Sequence, residues 1–289
     1  MPYWLLRALT AALPRIPLRT LGAFAWAGGG VAWFWSRNLR EVTTDHMRHV
    51  LGVSASRREL NARARDCVRS AIWYWIDLAC MPALSPEQTF ERLDSVDGLE
   101  ALFEAYDEGH GVVLLSAHLG NPEVFATLLP RLGIPTAIFV EPLADPRVHA
   151  LIEARRERAG AQMLTPNAAG MRAAITQVRC GGLLGGLADR DVLGTGTAHV
   201  FFGERARMPD GIMEIALRAG APVLVGWVTR TTPGRYAATV ERLVLPQPTG
   251  DRHHDVDDAE AVYLRALERA IARTPGQWFP LAPVWRGLQ

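Results

Sequence analysis

Apolar segments of strand length alternate with helical segments over most of the chain, and this alternation constrains the fold most strongly. Beyond residue 94, runs such as GVVLLSA (111–117) and GLLGGLA (182–188) are separated by amphipathic stretches. Strands that alternate with helices of about 12 residues form βαβ units. The pattern predicts an α/β fold with a mostly parallel central sheet that is flanked by helices on both faces.

The loops that leave the carboxyl ends of these strands are the places where a ligand is expected. Parallel sheets of this class bind their ligands at the carboxyl edge of the sheet. The predicted strands end at residues 117, 140, 164 and 188. We therefore expect the site residues to lie in the loops that follow these four positions.

The amino-terminal region is apolar and is followed by many arginines. Residues 20–36 carry no charge over 17 residues, which as a helix is about 26 Å, just short of a bilayer core of about 30 Å. The run holds three tryptophans, and residues 1–70 contain 11 arginines against 4 acidic residues. Tryptophan and arginine both suit the membrane interface.

We therefore expect residues 1–36 to form a hydrophobic or amphipathic helical region that anchors the protein, and residues 37–289 to form a single α/β domain. The predicted location is the cytoplasmic face of the plasma (inner) membrane. Two alternatives remain for the apolar run: a buried core helix, and a signal peptide cleaved near residues 25–27.

Composition removes several function classes. The chain is 49% hydrophobic with a net charge of +1, which excludes intrinsic disorder. All 31 basic residues are arginine, so Schiff-base chemistry and a phosphate-binding loop lysine are excluded. The three scattered cysteines give no disulfide framework or zinc motif. A nucleic-acid partner is not expected, because the arginine-rich stretch adjoins an apolar segment and the remainder of the chain is acidic.

The first strand-end loop, SAHLGNPEVF, carries a histidine and a carboxylate. His118 leaves the end of a predicted buried strand, and Glu123 follows in the first turn of the next helix. A carboxylate on one imidazole nitrogen fixes the tautomer and favours the imidazolium that forms when the other nitrogen takes a proton. The spacing therefore suggests a general base, His118, oriented by Glu123. A structural histidine is the alternative reading of the same spacing.

Several segments, taken together and in order, resemble the bacterial lipid A acyltransferase family of the lauroyl/myristoyl type, which includes the phosphatidylinositol mannoside acyltransferases. The segment with the His-x4-Glu pattern is joined by an entry segment at 37–52, a second block at 188–224 that begins ADRD and contains FFG, and a closing segment, TPGQWFPLAPVW, at 274–285. The second block and the closing segment look more like the mannoside branch. One acidic residue that this branch has before FFG is absent here, which leaves any role of that acid open, and His199 is a candidate substitute.

The resemblance implies transfer of a fatty acyl chain from acyl-CoA or acyl carrier protein to a hydroxyl of a membrane glycolipid, with no cofactor beyond this thioester co-substrate and no metal. It implies that His118 deprotonates the acceptor and that Arg156 stabilises the oxyanion. Arg158 is a second candidate in the same helix. Further substrate-binding candidates are Asp189, Arg190, Arg205 and Arg207, whose arginines suit phosphate groups.

Two other function classes remain open. A metal-dependent hydrolase would use His118 with Asp189, Asp191 and His199, or the RHHD segment at 252–255. A non-catalytic, membrane-anchored interaction protein would not depend on His118 at all.

Overall fold

Helices and strands alternate through most of the chain in the computed structural model, which describes residues 3–81, 84–141 and 145–285. The helices are α1 (Tyr3–Ala12), α2 (Leu18–Trp35), α3 (Arg37–Leu51), α4 (Arg57–Cys80), α5 (Pro86–Phe90), α6 (Leu99–Asp107), α7 (Glu123–Leu128), α8 (Pro146–Arg158), α9 (Ala168–Arg179), α10 (Gly211–Ala219) and α11 (Arg252–Arg273). The strands are β1 (Leu93–Asp97), β2 (Val112–Ser116), β3 (Thr136–Phe139), β4 (Gln162–Leu164), β5 (Leu183–Leu187), β6 (Thr197–Phe201), β7 (Glu204–Met208), β8 (Val223–Thr232) and β9 (Arg235–Arg242).

Seven of these strands form one twisted layer in the order β1-β9-β8-β2-β5-β3-β4. Within the described ranges, every neighbouring pair in this sheet is parallel apart from β8 and β9, which form an antiparallel hairpin. The predicted mostly parallel sheet is confirmed. The strand order also makes β2 and β5 direct neighbours, so the loops that follow them meet at the same edge.

Strand β2 shows how the sheet buries both of its faces. Val113 and Leu115 pack in the cluster that holds α9, α10 and α11, whereas Val112 and Leu114 pack in the cluster that holds α6 and α7. Because successive strand residues point to opposite faces, a strand covered on both sides reads as a continuous apolar run. Helices therefore lie on both faces, as predicted.

Two strands were not predicted, and both lie at the margins of the fold. β1 is an edge strand that pairs only with β9 in the described structure, and its sequence, LDSVD, is half polar and largely exposed. β7 pairs with β6 in a separate two-stranded ribbon. The sequence pattern predicts a strand at AHVFFG but does not reveal its partner, ERARM, because three of those five side chains are exposed.

The amino-terminal apolar segment folds onto α4. Helix α2 buries a narrow stripe, made by Leu21, Ala25, Gly29 and Trp33, and leaves its remaining aromatic side chains exposed. Gly29 permits the contact, because a Cβ there would lie 2.8 Å from Arg69 Cα. The predicted boundary at residue 36 falls between α2 and α3. None of the helices in the described ranges combines the length and the hydrophobicity that a membrane-spanning segment needs.

Candidate active site

The loop that follows β2 is held in place by β8 and by the chain's closing segment. Gly120 N–H donates to the Gln277 carbonyl at 3.0 Å, and Phe279 N–H donates to the His118 carbonyl at 2.8 Å. Gly120 has φ of +62°, and a Cβ there would lie 2.0 Å from the Val228 carbonyl oxygen. Only glycine fits this turn. The loop therefore fixes the backbone of His118 at the carboxyl edge of the sheet.

His118 is oriented by Asp189, which enters from the end of β5. The Asp189 carboxylate is fully buried and accepts hydrogen bonds from His118 Nδ1 at 2.8 Å, from His118 N–H at 3.0 Å and from Trp278 Nε1 at 2.9 Å. A carboxylate can only accept, so the Nδ1 atom carries the proton and Nε2 is left as the basic nitrogen. The orienting carboxylate that we expected at Glu123 is thus supplied by Asp189.

The charge state of Asp189 follows from these partners. Burial alone raises the pKa of a carboxyl group, but the charge of His118 and the three hydrogen bonds outweigh burial and hold the pKa of Asp189 below its ordinary value. Asp189 is therefore ionised at neutral pH. A buried carboxylate beside Nδ1 favours a positive charge on the His118 ring, which is the state that follows proton uptake at Nε2.

Glu123 takes part in a different cluster. Its carboxylate forms a two-point ion pair with Arg156, in which Nε lies 3.1 Å from Oε2 and Nη2 contacts Oε1. The Tyr74 hydroxyl donates to Glu123 Oε1 at 3.0 Å and accepts from Arg156 Nη2 at 3.2 Å. Within the described structure, no hydrogen bond joins Glu123 to His118. Glu123 is the first residue of α7, and its side chain points towards Tyr74 on α4 and Arg156 on α8.

Burial and Glu123 together raise the pKa of Tyr74 far above its ordinary value. Burial alone would lower the pKa of Arg156, but the Glu123 carboxylate outweighs it and raises the pKa. Tyr74 therefore stays neutral and Arg156 stays charged. Tyr74 was not among the site residues predicted from the sequence.

The Glu123–Arg156 pair should contribute measurably to stability. Glu123→Ala leaves the Arg156 guanidinium nearly buried without a counter-ion, and we expect the free energy of unfolding to fall by about 3 kcal/mol. Tyr74→Phe removes a neutral hydroxyl and should cost about 1 kcal/mol. Urea unfolding of both variants measures this, with Glu153→Ala on α8 as the matched carboxylate control. Wild-type stability in Glu123→Ala would contradict the pairing.

An elongated apolar cavity of about 720 Å³ opens beside His118. It follows the sheet face that carries Leu114, Gly185 and Ile138, which lie side by side on β2, β5 and β3. Phe125 and Leu129 cover this face, and His118, Glu123 and Arg156 are among the polar residues that line the cavity. Pockets of this size accommodate an extended apolar ligand with a few polar groups at one position.

The remaining predicted site residues occupy different places. Arg190 lines the cavity and pairs with Glu141, which follows β3. Arg158 is exposed at the end of α8, and Arg205 and Arg207 are exposed on β7. Arg207 Nη1 donates to the Gly196 carbonyl at 2.9 Å. The described residues that line the cavity do not include these three arginines.

Beyond the His118–Asp189 pair, the residues of the metal-hydrolase alternative do not converge. His199 contacts the Thr197 hydroxyl at 2.7 Å and lies 3.8 Å from Asp257, whereas Asp191 binds the backbone of its own loop. The RHHD segment begins α11, where its two histidines are exposed. In the described parts of the chain, no group of three or more His, Cys, Asp or Glu residues is arranged to hold a metal ion.

The chain is similar in sequence to known bacterial acyltransferases. Residues 2–287 match the family described as bacterial lipid A biosynthesis acyltransferases. The phosphatidylinositol mannoside acyltransferase of Mycolicibacterium smegmatis is 27% identical over 234 residues, which cover 76% of this chain and 71% of that protein. The enzyme of the same name from Mycobacterium tuberculosis is 28% identical over 227 residues, which cover 73% of this chain and 66% of that protein. The chain therefore belongs to the bacterial lipid A biosynthesis acyltransferase family.

Proposed function

We propose that this protein transfers a fatty acyl chain from a thioester donor, acyl-CoA or acyl carrier protein, to a hydroxyl group of a membrane glycolipid. The observation that carries the proposal is His118, held by the buried Asp189 at the polar part of a long apolar cavity. An acyl chain needs such a cavity, and the acceptor hydroxyl needs such a base.

The proposed reaction begins at His118 Nε2, which takes the proton of the acceptor hydroxyl. The hydroxyl oxygen attacks the thioester carbonyl, and a new C–O bond forms. The C–S bond then breaks, and the thiolate receives the proton from His118. The products are an ester and a free thiol, so the protein is unchanged. Asp189 stabilises the imidazolium throughout.

The oxyanion that develops during this attack needs hydrogen-bond donors. The backbone amides of the loop are already used: those of Leu119, Gly120 and Asn121 donate to the carbonyls of Ala117, Gln277 and Val228. Arg156 is a better candidate, because Nε and Nη2 are bound to Glu123 and Tyr74 while its Nη1 atom makes no hydrogen bond within the described structure. We assign to Arg156 the role of stabilising the oxyanion, and to Glu123 the role of positioning Arg156.

The acceptor that we favour is a phosphatidylinositol mannoside-like glycolipid, with a lipid A-like glycolipid as the alternative. The names of the two mycobacterial relatives support the first. Among the arginines that we propose to bind substrate, Arg190 is the one that lines the cavity in the described structure, and it suits a phosphate of either substrate.

The deciding experiment uses detergent-purified protein, radiolabelled palmitoyl-CoA and a total lipid extract from the source organism. A new labelled lipid formed by wild type but not by His118→Ala supports the proposal, and its mass identifies the acceptor. Repeating the assay with palmitoyl-acyl carrier protein identifies the donor. Absence of turnover with both donors would favour a non-catalytic interaction protein, and activity lost to a chelator would favour the metal hydrolase.

Gly185 should set the length of the acyl chain. A Cβ at Gly185 would meet no atom closer than 3.8 Å, and Gly185 lines the cavity, so a larger side chain there can extend into the cavity. We expect Gly185→Leu to prefer an acyl chain shorter by several methylenes and to use palmitoyl-CoA at least about tenfold less well, since each buried CH₂ is worth about 0.8 kcal/mol. Competition between donors of different length measures the shift.

Gly185→Ala is the matched variant, and it should shift the preference only slightly. An unchanged chain-length profile in Gly185→Leu, at wild-type stability, would contradict the placement of the acyl chain on this face of the sheet.

We further propose that α2 attaches the protein to the cytoplasmic face of the plasma membrane, by lying in the interface. The support is the exposed aromatic side chains of this helix: Phe24, Trp26, Phe34 and Trp35 are 64–81% exposed. With 3.6 residues per turn, Phe24, Phe34 and Trp35 share one face, whereas Trp26 lies on the flank that contacts Arg69. Exposed tryptophan and phenylalanine, flanked by arginine, suit an interfacial helix. The buried stripe of α2 packs against α4 and keeps this helix attached to the rest of the protein.

This attachment predicts a specific loss of vesicle binding. The triple variant Phe24→Ser, Phe34→Ser, Trp35→Ser should reduce the partition coefficient on lipid vesicles by about a hundredfold or more, because it removes three inserted side chains. Sedimentation with vesicles measures this. The control is Val53→Ser with Val244→Ser, which removes exposed apolar groups elsewhere. Deletion of α2 is a poorer test, because it uncovers α4. Equal binding by the triple variant would place the anchor elsewhere.

A further inference from the structure

A second cavity, of about 380 Å³, lies between α4 and the turn that follows α11. We call it the arginine pocket and define it by Arg63, Asp66, Arg69, Arg273 and Thr274, all of which line it. The pocket is separate from the cavity beside His118, and the proposed reaction does not use it.

The arginine pocket carries an excess of positive charge. Asp66 is shared by two arginines: its Oδ1 lies 2.9 Å from Arg69 Nη1, and its Oδ2 lies 3.4 Å from Arg63 Nη1. Arg273 is exposed and has no ion pair with any described residue. One carboxylate therefore faces three guanidinium groups. Such a site attracts an anion, and phosphate oxygens suit the forked donors of arginine.

The pocket also contains a hydroxyl that lacks a partner. The Thr274 Oγ1 atom is buried and makes no hydrogen bond within the described structure. Because this oxygen has almost no accessible surface, it lies behind the wall of the pocket, and the three arginines carry the recognition of an anion. The turn itself is held against α4, since Ser70 Oγ donates to the Gly276 carbonyl at 2.9 Å.

The position of the pocket identifies the source of the phosphate. Arg69 Nε donates to the Trp26 carbonyl at 3.1 Å, and its guanidinium lies 4.5 Å from the centre of the Trp26 ring. That ring is 64% exposed on α2. The pocket therefore lies beside Trp26, an exposed residue of the helix proposed to lie in the membrane interface, and tryptophan side chains sit at the level of the lipid headgroups.

We propose that the arginine pocket binds the phosphate of an anionic membrane lipid. The inference rests on the membrane attachment proposed above and adds to it a defined headgroup site. A lipid held there would set how the protein sits on the bilayer while leaving the acyl cavity free. A soluble phosphate ester has the same recognising chemistry, and the experiment below separates the two sources.

The test compares vesicles of phosphatidylcholine alone with vesicles that also contain phosphatidylglycerol. Wild type should bind the anionic vesicles more tightly, and Arg63→Gln with Arg273→Gln should reduce that preference by about tenfold or more. The matched control is Arg57→Gln with Arg58→Gln, which removes the same charge from the exposed start of α4, outside the pocket. This control should lose at most about threefold.

Three results would overturn the headgroup site. Equal losses in the two double variants would mean diffuse attraction by surface charge. Equal binding of wild type to both vesicle types would mean that no anionic lipid is recognised. Thermal stabilisation by glycerol phosphate that depends on Arg63 and Arg273, with vesicle binding unaffected by them, would mean a soluble ligand. Wild type that binds neither vesicle type would contradict the membrane attachment itself, whereas the acyl-transfer assay in detergent tests the reaction separately.

The single variant Arg273→Gln keeps the test usable if the double variant fails to fold, because Arg273 makes no described ion pair. It should lower the anionic preference by about threefold at wild-type thermal stability. An unchanged preference in this variant would also contradict the proposal.

Discussion

His118→Ala should reduce the rate of acyl transfer by about three orders of magnitude or more while leaving the fold intact. General base catalysis by a positioned histidine raises the rate by about two to four orders of magnitude. Alanine has no basic group, and water at neutral pH is too weak a base to take its place. The side chain of His118 is partly exposed to the cavity, so its loss creates no closed void in the core. The expected change is therefore in kcat, with little change in the KM for the thioester.

The measurement is a steady-state assay of wild type and variant, with thermal unfolding of both. His253→Ala, an exposed histidine at the start of α11, is the matched control and should behave as wild type. A His118→Ala enzyme that keeps most of its kcat would refute the general base. A variant that loses activity together with its unfolding transition would show a structural role for His118 instead.

The strands that the sequence predicts most closely are those buried on both faces. Strands β2 and β5 consist of apolar residues and glycine alone apart from the final Ser116, and their predicted bounds differ from the observed ones by one residue at each end. β1 and β7 are exposed on at least one side and carry charges, so their sequences resemble loops. Burial produces the apolar runs, and where burial is partial the signal is lost.

The partner of His118 could not be predicted for a different reason. Glu123 is near His118 in the sequence, and the spacing alone cannot show that α7 turns its side chain towards Arg156. Asp189 is distant in the sequence, and it becomes a neighbour only because β5 lies beside β2 in the sheet. Strand order follows from the whole topology, which no local motif contains. The signal that was available is position: Asp189 directly follows a buried strand.

The glycines of α2 illustrate the same limit. A run of three glycines, at residues 28–30, weakens an isolated helix, yet these residues lie within α2. The structure uses Gly29 for close contact with α4, where any side chain would collide with Arg69. Packing of the buried stripe outweighs the local propensity. A sequence shows the cost of a glycine but not the neighbour that requires it.

Asp189→Asn should lower kcat by about two to four orders of magnitude, and the reason lies in its three donors. His118 N–H and Trp278 Nε1 both donate to Oδ2, whereas His118 Nδ1 donates to Oδ1. The amide oxygen of asparagine will take the Oδ2 position, since it satisfies two donors there. The amide NH₂ group then faces Nδ1, which must become the acceptor. The proton moves to Nε2, and the base is in the wrong tautomer.

Two comparisons separate this mechanism from a general loss of structure. Asp191→Asn changes the carboxylate two residues further on, which binds only Gly194 N–H and Gly196 N–H in the described structure, and it should cost no more than about tenfold. The double variant with His118→Ala should be hardly slower than His118→Ala alone, because residues that act as a unit are not additive. Independent, multiplying losses would mean that Asp189 acts on something other than His118.

Because the carboxylate is already ionised well below neutral pH, the defect of Asp189→Asn should persist across the neutral range, and recovery of activity at higher pH would contradict the tautomer argument.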